Sequence, residues 1–322
     1  MSDKLVAVAE RFVEHRRALG RKYISEDHEL RLLVRFAEAH GIHDLDQLTA
    51  VSLETFLGSR PRRRPRSFNH LLGVIRCFLD WAVIQELLAL SPLEVRRRRV
   101  TAGRLPFIFD VVQTRRLLAA ASALPDNSRA QQRGPTYRVI FGLCYGLGLR
   151  AGEVCGLRLG DVDPDRNLLV VRGGKFGKTR FVPHGPRIAE VLRAQVERRR
   201  TAFPESGANS PLFTFDGCRC MHPGTASQVF HALVRTLGLT IPDGVSPPRL
   251  HDLRHSFAVG SLLRWYREGS DPASKLNQLS TFMGHVDPTS TAVYLSITPG
   301  LLSQANRRFE VFAEPAWAKV AP

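Results

Sequence analysis

Between Pro92 and Pro106 the chain runs through four consecutive arginines, Arg96 to Arg99, then a glycine, with almost no apolar periodicity. A segment of that composition cannot carry a hydrophobic stripe, so the boundary between two separately folded parts falls near residue 100. With 322 residues, 43% of them hydrophobic and 24% charged, there is enough chain for two ordinary globular cores. The expected organisation is a helical domain over 1–95, a basic linker over 96–108, a larger domain over 109–312 and a tail over 313–322.

The first part reads as four helices. Leu5, Val8, Ala9, Phe12 and Val13 recur at helical spacing, and Leu30, Leu33, Phe36 and Ala37 do so again, with Ser25 as the expected N-cap and Gly41 as the expected stop. Leu53, Phe56 and Leu57 predict a short third helix. Phe68, Leu71, Leu72, Ile75, Phe78, Leu79 and Ala82 predict a long fourth, ending before Ser91-Pro92. Four such helices make one small bundle.

The second part is mostly helical with one β-like interruption. Asp163 to Asn167 has turn composition, Leu168 to Arg172 is β-prone, Gly173-Gly174 turns, and Arg180-Phe181-Val182-Pro183 returns as a strand. Helices resume at Pro186 to Arg200 and after Thr225. The fold class is therefore mainly α, with a small hairpin or three-stranded sheet inside the second domain.

The formal charge of +16 comes almost entirely from arginine, since six of the 46 basic residues are lysines. Arginine forks across phosphate oxygens, and clusters such as Arg62-Arg63-Arg64-Pro65-Arg66 and Arg96 to Arg99 favour nucleic acid over an anionic membrane as partner. No run of 18 apolar residues occurs, and Met1 to Lys4 opens an amphipathic stretch instead of a charged start with an apolar core, so an intracellular, nucleoid-associated location is expected. The five cysteines are scattered apart from Cys218-Arg219-Cys220, which gives no disulfide framework. With His222 that pair supplies too few ligands for a tetrahedral zinc site, and neither metal nor cofactor is expected.

Displacement at a phosphodiester needs positive charge on the non-bridging oxygens, an in-line nucleophile and a proton for the departing sugar oxygen. Arg150 and Arg254 suit the first task, because a guanidinium stays charged while it forks across two oxygens. Tyr294 suits the second, as a phenol that attacks phosphorus and leaves again. Lys175, in the turn Gly173-Gly174-Lys175-Phe176-Gly177-Lys178, suits the third, and His251 and His285 suit a hydrogen bond to the phosphate or handling of the tyrosine proton. Singly, each has a plainer reading. Arg150 and Glu153 make an i,i+3 helix ion pair, Gly284-His285 a helix terminus, and Tyr294 a core residue.

The joint order carries more. Gly146-Leu147-Gly148-Leu149-Arg150-Ala151-Gly152-Glu153, then Gly174-Lys175 with Arg180 to Pro183, then Leu250-His251-Asp252-Leu253-Arg254-His255-Ser256-Phe257-Ala258, then Met283-Gly284-His285 to Tyr294, resembles the tyrosine recombinase (phage integrase) family over roughly residues 110 to 312. The resemblance implies that Arg150 and Arg254 are the paired phosphate-binding arginines and Lys175 the hairpin lysine acting as general acid. His251 and His285 would be the two histidines, Tyr294 the nucleophile, and Glu153 and His255 supporting positions.

It further implies a SAM-like core-binding domain for the N-terminal bundle, the two domains forming a clamp on double-stranded DNA. Phosphate contacts are then expected from Arg62, Arg63, Arg64, Arg66, Arg96, Arg97, Arg98 and Arg99, and from Lys178 and Arg180 of the hairpin. Leu301, Leu302, Ala305, Phe309 and Phe312 lie at helical spacing, and a helix over 301–312 would dock on a neighbouring protomer in a tetramer on synapsed DNA. The expected activity is site-specific recombination through a 3′-phosphotyrosyl link and a four-way junction, in a mobile element. Two other readings of the same residues stay open: a type IB topoisomerase, and a DNA-binding regulator without chemistry. A metal nuclease would require a clustered carboxylate pair that this sequence does not display.

Overall fold

The computed structural model describes residues 4–100, 104–172, 179–271, 273–284 and Tyr294. Lys175, Lys178, His285, the expected helix over 301–312 and the tail over 313–322 lie outside the described residues. The chain divides into two compact units, Met1–Gly103 and Arg104–Pro322.

In the first unit α1 (Leu5–Ala18), α2 (Ile24–Ala39), α3 (Ala50–Ser59) and α4 (Pro65–Ile84) form the expected bundle. The i, i+3, i+4, i+7 stripe of α1, Leu5, Val8, Ala9, Phe12 and Val13, is buried, because only one face of a helix meets the core. Phe12 packs against Phe78 and Trp81 of α4, with ring centroids 5.5 and 5.4 Å apart. α4 is long and apolar enough to cross a membrane by length and composition, yet half of it is buried inside the bundle, as befits a core helix.

Two helix ends differ from expectation. α2 starts after Tyr23, which is in the left-handed region, and Ser25 lies inside the first turn with its hydroxyl on Glu26. Glu26 and Asp27 place negative charge at that N-terminus, where the helix dipole favours it. α4 stops at Ile84, capped by Gln85 and followed by left-handed Glu86, several residues before Ser91-Pro92.

The stretch 96–108 is not a free tether at either end. Asn69 of α4 pairs with the Arg98 backbone on both sides, accepting from its N–H and donating to its carbonyl at 2.8 Å each, and the Arg98 guanidinium lies 3.7 Å from the centre of the Phe68 ring. Arg76 adds a bond to the carbonyl of Val95 at 2.9 Å. At the other end Leu105 bridges Val245, and Phe107 and Phe109 are buried in the core of the second unit. Phe107 and Phe109 alternate with Ile108, a period of two too short to register against the surrounding arginines.

Two of the arginines expected on phosphate also have partners within the first unit. Arg62 pairs with Glu29 at 2.6 Å, and Arg98 donates to the Arg62 carbonyl at 3.0 Å while covering Phe68. Arg63, Arg64, Arg66 and Arg96 to Arg99 are exposed.

The second unit contains α5 (Val111–Ser122), α6 (Arg133–Gly146) and α7 (Ala151–Cys155), then an antiparallel sheet of β1 (Val162–Asp163), β2 (Leu168–Val171) and β3 (Arg180–Pro183), then α8 (Pro186–Ala202), α9 (Pro223–Thr236), α10 (Asp252–Arg267) and α11 (Leu276–Met283). Strand order is β1-β2-β3, with Leu168 opposite both Asp163 and Pro183. At the centre α6 buries Tyr137, Ile140, Phe141, Leu143 and Cys144, and packs against α5, α8 and α10. Its Phe141 meets Phe230 of α9 edge-on at 5.7 Å. This packing brings the segment before α7, the start of β3, the start of α10 and the end of α11 to one place.

Candidate active site

A helix leaves its last carbonyls without intrahelical partners, and the C-terminus of α11 shows where they go. Gly284, at φ +68°, ends the helix, and a Cβ there would sit 2.8 Å from the Arg180 guanidinium. The three carbonyls at this end each accept from a different arginine: Phe282 from Arg180 Nε at 3.0 Å, Met283 from Arg254 Nη2 at 2.8 Å, and Gly284 from Arg150 Nη2 at 3.0 Å. The partial negative charge of the helix terminus favours this gathering of cations.

Glu153 offsets their mutual repulsion. Its two oxygens accept the fork of Arg180 at 2.9 Å each, Arg150 Nη1 at 2.8 Å and the Arg150 backbone N–H at 2.9 Å. Burial pushes this carboxyl up, but the bonds from Arg180 and from Arg150 outweigh it and bring it down to about 2, so it is ionised throughout the working range. The i,i+3 ion pair of Arg150 and Glu153 is therefore present, and it is one edge of a larger network. Arg180, expected on DNA, clamps Glu153 from β3.

Arg254 is 1% exposed. Its Nη1 donates to the carbonyl of Gly148 at 2.5 Å, its Nη2 to Met283, and its buried Nε has no hydrogen-bond partner among the described residues. Burial, then the nearby Arg150 charge, lowers it to about 10, which still leaves it cationic at neutral pH.

α10 carries the remaining groups. His251 is its N-cap and His255 lies one turn later, the two rings edge to face at 4.7 Å. Both are pushed down to about 4, His251 by burial and then by His255 and Arg254, His255 by burial and then by Arg249 and Arg254, so both are neutral at pH 7. The Tyr294 hydroxyl lies 2.7 Å from Nδ1 of His255. The hydrogen-bond partner of the tyrosine is thus the second histidine of His-Asp-Leu-Arg-His, where the sequence had suggested His251 or His285 for its proton. Tyr294 is 3% exposed, and burial raises its phenol above the ordinary value against the opposing pull of Arg254 and Arg150.

Asp252 was not singled out in the sequence. It is fully buried, accepts from the Arg249 backbone at 2.8 Å and side chain at 3.0 Å, and stands 3.9 Å from Nε2 of His255. Its only sequence signal is a carboxylate in the first turn of a helix.

Cys218 and Cys220 are exposed, and His222 caps α9 by accepting from the Gly224 N–H at 3.0 Å. Among the described residues no group of three or more His, Cys, Asp or Glu side chains converges as a metal site would require.

The profile of the phage integrase family matches residues 109–299, well over half of the chain. The chain belongs to the phage integrase family of tyrosine recombinases. These are DNA strand-transfer enzymes, and the chain is 36% identical to the Sinorhizobium fredii protein y4rB, named as an integrase/recombinase, over 96% of its own length and 98% of that of its relative. It is 27% identical to the tyrosine recombinase XerC of Xanthomonas campestris pv. campestris, covering 91% of the integrase and 85% of XerC. Among solved structures its fold is similar to that of the Tn1549 transposon integrase in complex with a circular intermediate DNA, with a TM-score of 0.65 and 17% identity over 97% of this chain and 100% of that one. It is similar too to a lambda integrase tetramer bound to a Holliday junction, with a TM-score of 0.62 and 17% identity over 89% and 79% of the two chains.

Gly148 supports the arginine network through its carbonyl, which accepts from Arg254. Gly148 sits at φ +62°, and a Cβ there would come within 2.4 Å of the Phe257 ring, which itself stacks on Phe282. Gly148→Ala is expected to cost roughly 3 kcal/mol from left-handed strain and overpacking together. A denaturant melt checks this, and a loss below about 0.5 kcal/mol would show that Phe257 yields freely.

Proposed function

We propose that this integrase cuts and rejoins double-stranded DNA at specific sites by attack of Tyr294 on the scissile phosphate, forming a 3′-phosphotyrosyl link and freeing a 5′-hydroxyl. Strands then exchange through a four-way junction, and the host of the reaction is a mobile element. One observation carries the reading: the Tyr294 hydroxyl lies 2.7 Å from Nδ1 of His255, the residue that follows Arg254 on α10, while Arg254 and Arg150 bond neighbouring carbonyls at the end of α11. Arg150 and Arg254 hold the non-bridging oxygens, with their donors transferring from the carbonyls of α11 and Gly148 to phosphate. Glu153 and Arg180 fix Arg150 in place, His251 hydrogen-bonds the phosphate as a neutral imidazole, and Lys175 and His285 are assigned the leaving-oxygen proton and a second phosphate contact by family motif. No metal takes part, because two guanidiniums supply the charge.

Arg62, Arg63, Arg64, Arg66 and Arg96 to Arg99 contact the DNA backbone from the first unit, which serves as the core-binding domain. Assembly is a tetramer on synapsed DNA, joined through the helix over 301–312, a reading supported by the lambda integrase tetramer on its junction. The complex of the Tn1549 transposon integrase with a circular intermediate supports a mobile-element role. The substrate sets the location, at the nucleoid.

The test is to incubate the protein with genomic DNA of its source in EDTA, quench with detergent, and map covalently attached 3′ ends. Discrete sites carrying a phosphopeptide that contains residue 294 are expected. Relaxation of supercoils without preferred sites would favour a topoisomerase, and binding without any adduct would leave only a DNA-binding regulator.

A further inference from the structure

A phenol attacks phosphorus well only as it loses its proton, and burial makes that loss harder for Tyr294. The group in contact with the hydroxyl is His255, at 2.7 Å from Nδ1 with ring centroids 5.4 Å apart. We propose that His255 is the catalytic base that takes the Tyr294 proton during strand cleavage and returns it during rejoining. The proposal rests on Tyr294 being the nucleophile.

The surroundings suit the tautomer that this role needs. Nε2 of His255 faces the buried carboxylate of Asp252 at 3.9 Å, too far for a good hydrogen bond but close enough for charge attraction. With the proton on Nε2, the Nδ1 lone pair is free to accept from the phenol. Among the described residues, the charged and titratable groups facing His255 are His251, Asp252 and Arg254 of its own helix, Arg249 from the loop before it, and Tyr294. Burial, then Arg249 and Arg254, disfavour a proton on the resting imidazole, which keeps it a free base. As the O–H proton moves to Nδ1, a bond forms between the phenolic oxygen and phosphorus. The bond from phosphorus to the 5′ oxygen breaks, and that oxygen takes its proton from the separate acid assigned to Lys175. Rejoining reverses each movement, and the imidazolium reprotonates the departing phenolate.

His251 has the same helix face but not the contact, and a plain structural role for His255 would be a latch holding the tyrosine at rest. The two roles give opposite results. The experiment measures single-turnover cleavage of a nicked suicide duplex, bearing a site mapped as above, by the wild-type protein, His255→Ala and His255→Asn. Asparagine keeps an acceptor near the place of Nδ1 yet cannot take a proton at neutral pH, so a fold that tolerates it still tests the chemistry.

Both variants are expected to bind the duplex normally and to cleave on the order of 100-fold more slowly at pH 7. Their rates should climb about tenfold per pH unit from pH 6 to 9 as Tyr294 ionises unaided, whereas the wild-type base, free above its value of about 4, imposes no such slope. A substrate whose 5′ oxygen at the break is replaced by sulfur, a leaving group that needs no proton, should leave the defect in place. Cleavage at or above the wild-type rate would make His255 a latch or a bystander and overturn the proposal, as would rescue by sulfur, which would move His255 to the leaving group. Absence of an adduct from the wild-type protein strikes at Tyr294 itself, while a wild-type adduct with undiminished His255 variants strikes only at His255.

Discussion

A Tyr294→Phe integrase is expected to bind its site with unchanged affinity and to leave no covalent adduct on a nicked duplex. The substitution removes one oxygen from a ring that is 3% exposed and packed among Val259, Leu262, Leu279 and Met283, so the aromatic contacts survive. What disappears is the hydrogen bond to His255, worth about 1 kcal/mol of stability. Chemistry should suffer far more, by at least about 10⁴-fold, because no other group stands in for a covalent nucleophile. Detergent gels of labelled substrate read the result directly. A persistent adduct would move the nucleophile to another residue and dismantle the proposed mechanism.

The second large effect falls on Arg254. Arg254→Lys keeps a positive charge but replaces a planar fork by one flexible point, so it can serve Gly148 or Met283 but not both, and cannot span two phosphate oxygens. Cleavage is expected to fall on the order of 10³-fold, as when a preorganised donor is taken from a charge developing in the transition state. Arg254→Ala should lose at least as much and should also melt early, since two buried carbonyls are left unpaired at about 1–3 kcal/mol each. Single-turnover kinetics with parallel thermal melts separate the two losses. A lysine variant that cleaves within about threefold of wild type would show that charge alone suffices and that the forked geometry is incidental.

Much of this was legible in the residues. The buried face of α1 is the stripe Leu5, Val8, Ala9, Phe12 and Val13, and the apolar run from Phe68 to Ala82 is the core of α4, because helical period and burial are the same fact seen twice. Turn composition at Asp163 to Asn167 and β-branched residues at Val170 and Val171 announced the sheet. The Arg150–Glu153 and His251–Arg254 spacings were visible as i,i+3 pairs. Less visible was anything that depended on a backbone carbonyl. Phe282, Met283, Gly284 and Gly148 hold the three guanidiniums through groups that every residue possesses, so no residue type marks them. The bond from Arg180 to Glu153 was equally hidden, because an arginine next to a glycine-rich turn has no sequence feature that shows a carboxylate waiting 27 positions earlier.

The amino-acid order by itself determined two cores on either side of a basic stretch, the helical character of both, and the set of groups from which metal-free phosphoryl chemistry can be built. These follow from local periodicity and from the intrinsic chemistry of guanidinium, imidazole and phenol. Only the tertiary structure decided how that set is wired: Arg62 and Arg98 held on the first unit, Arg180 turned inward onto Glu153, and His255 rather than His251 against Tyr294. The reason is that a hydrogen bond is fixed within a few tenths of an ångström by the packing of α7, β3, α10 and α11 against α6 and one another, and distances between elements far apart in the chain are not written in any one of them.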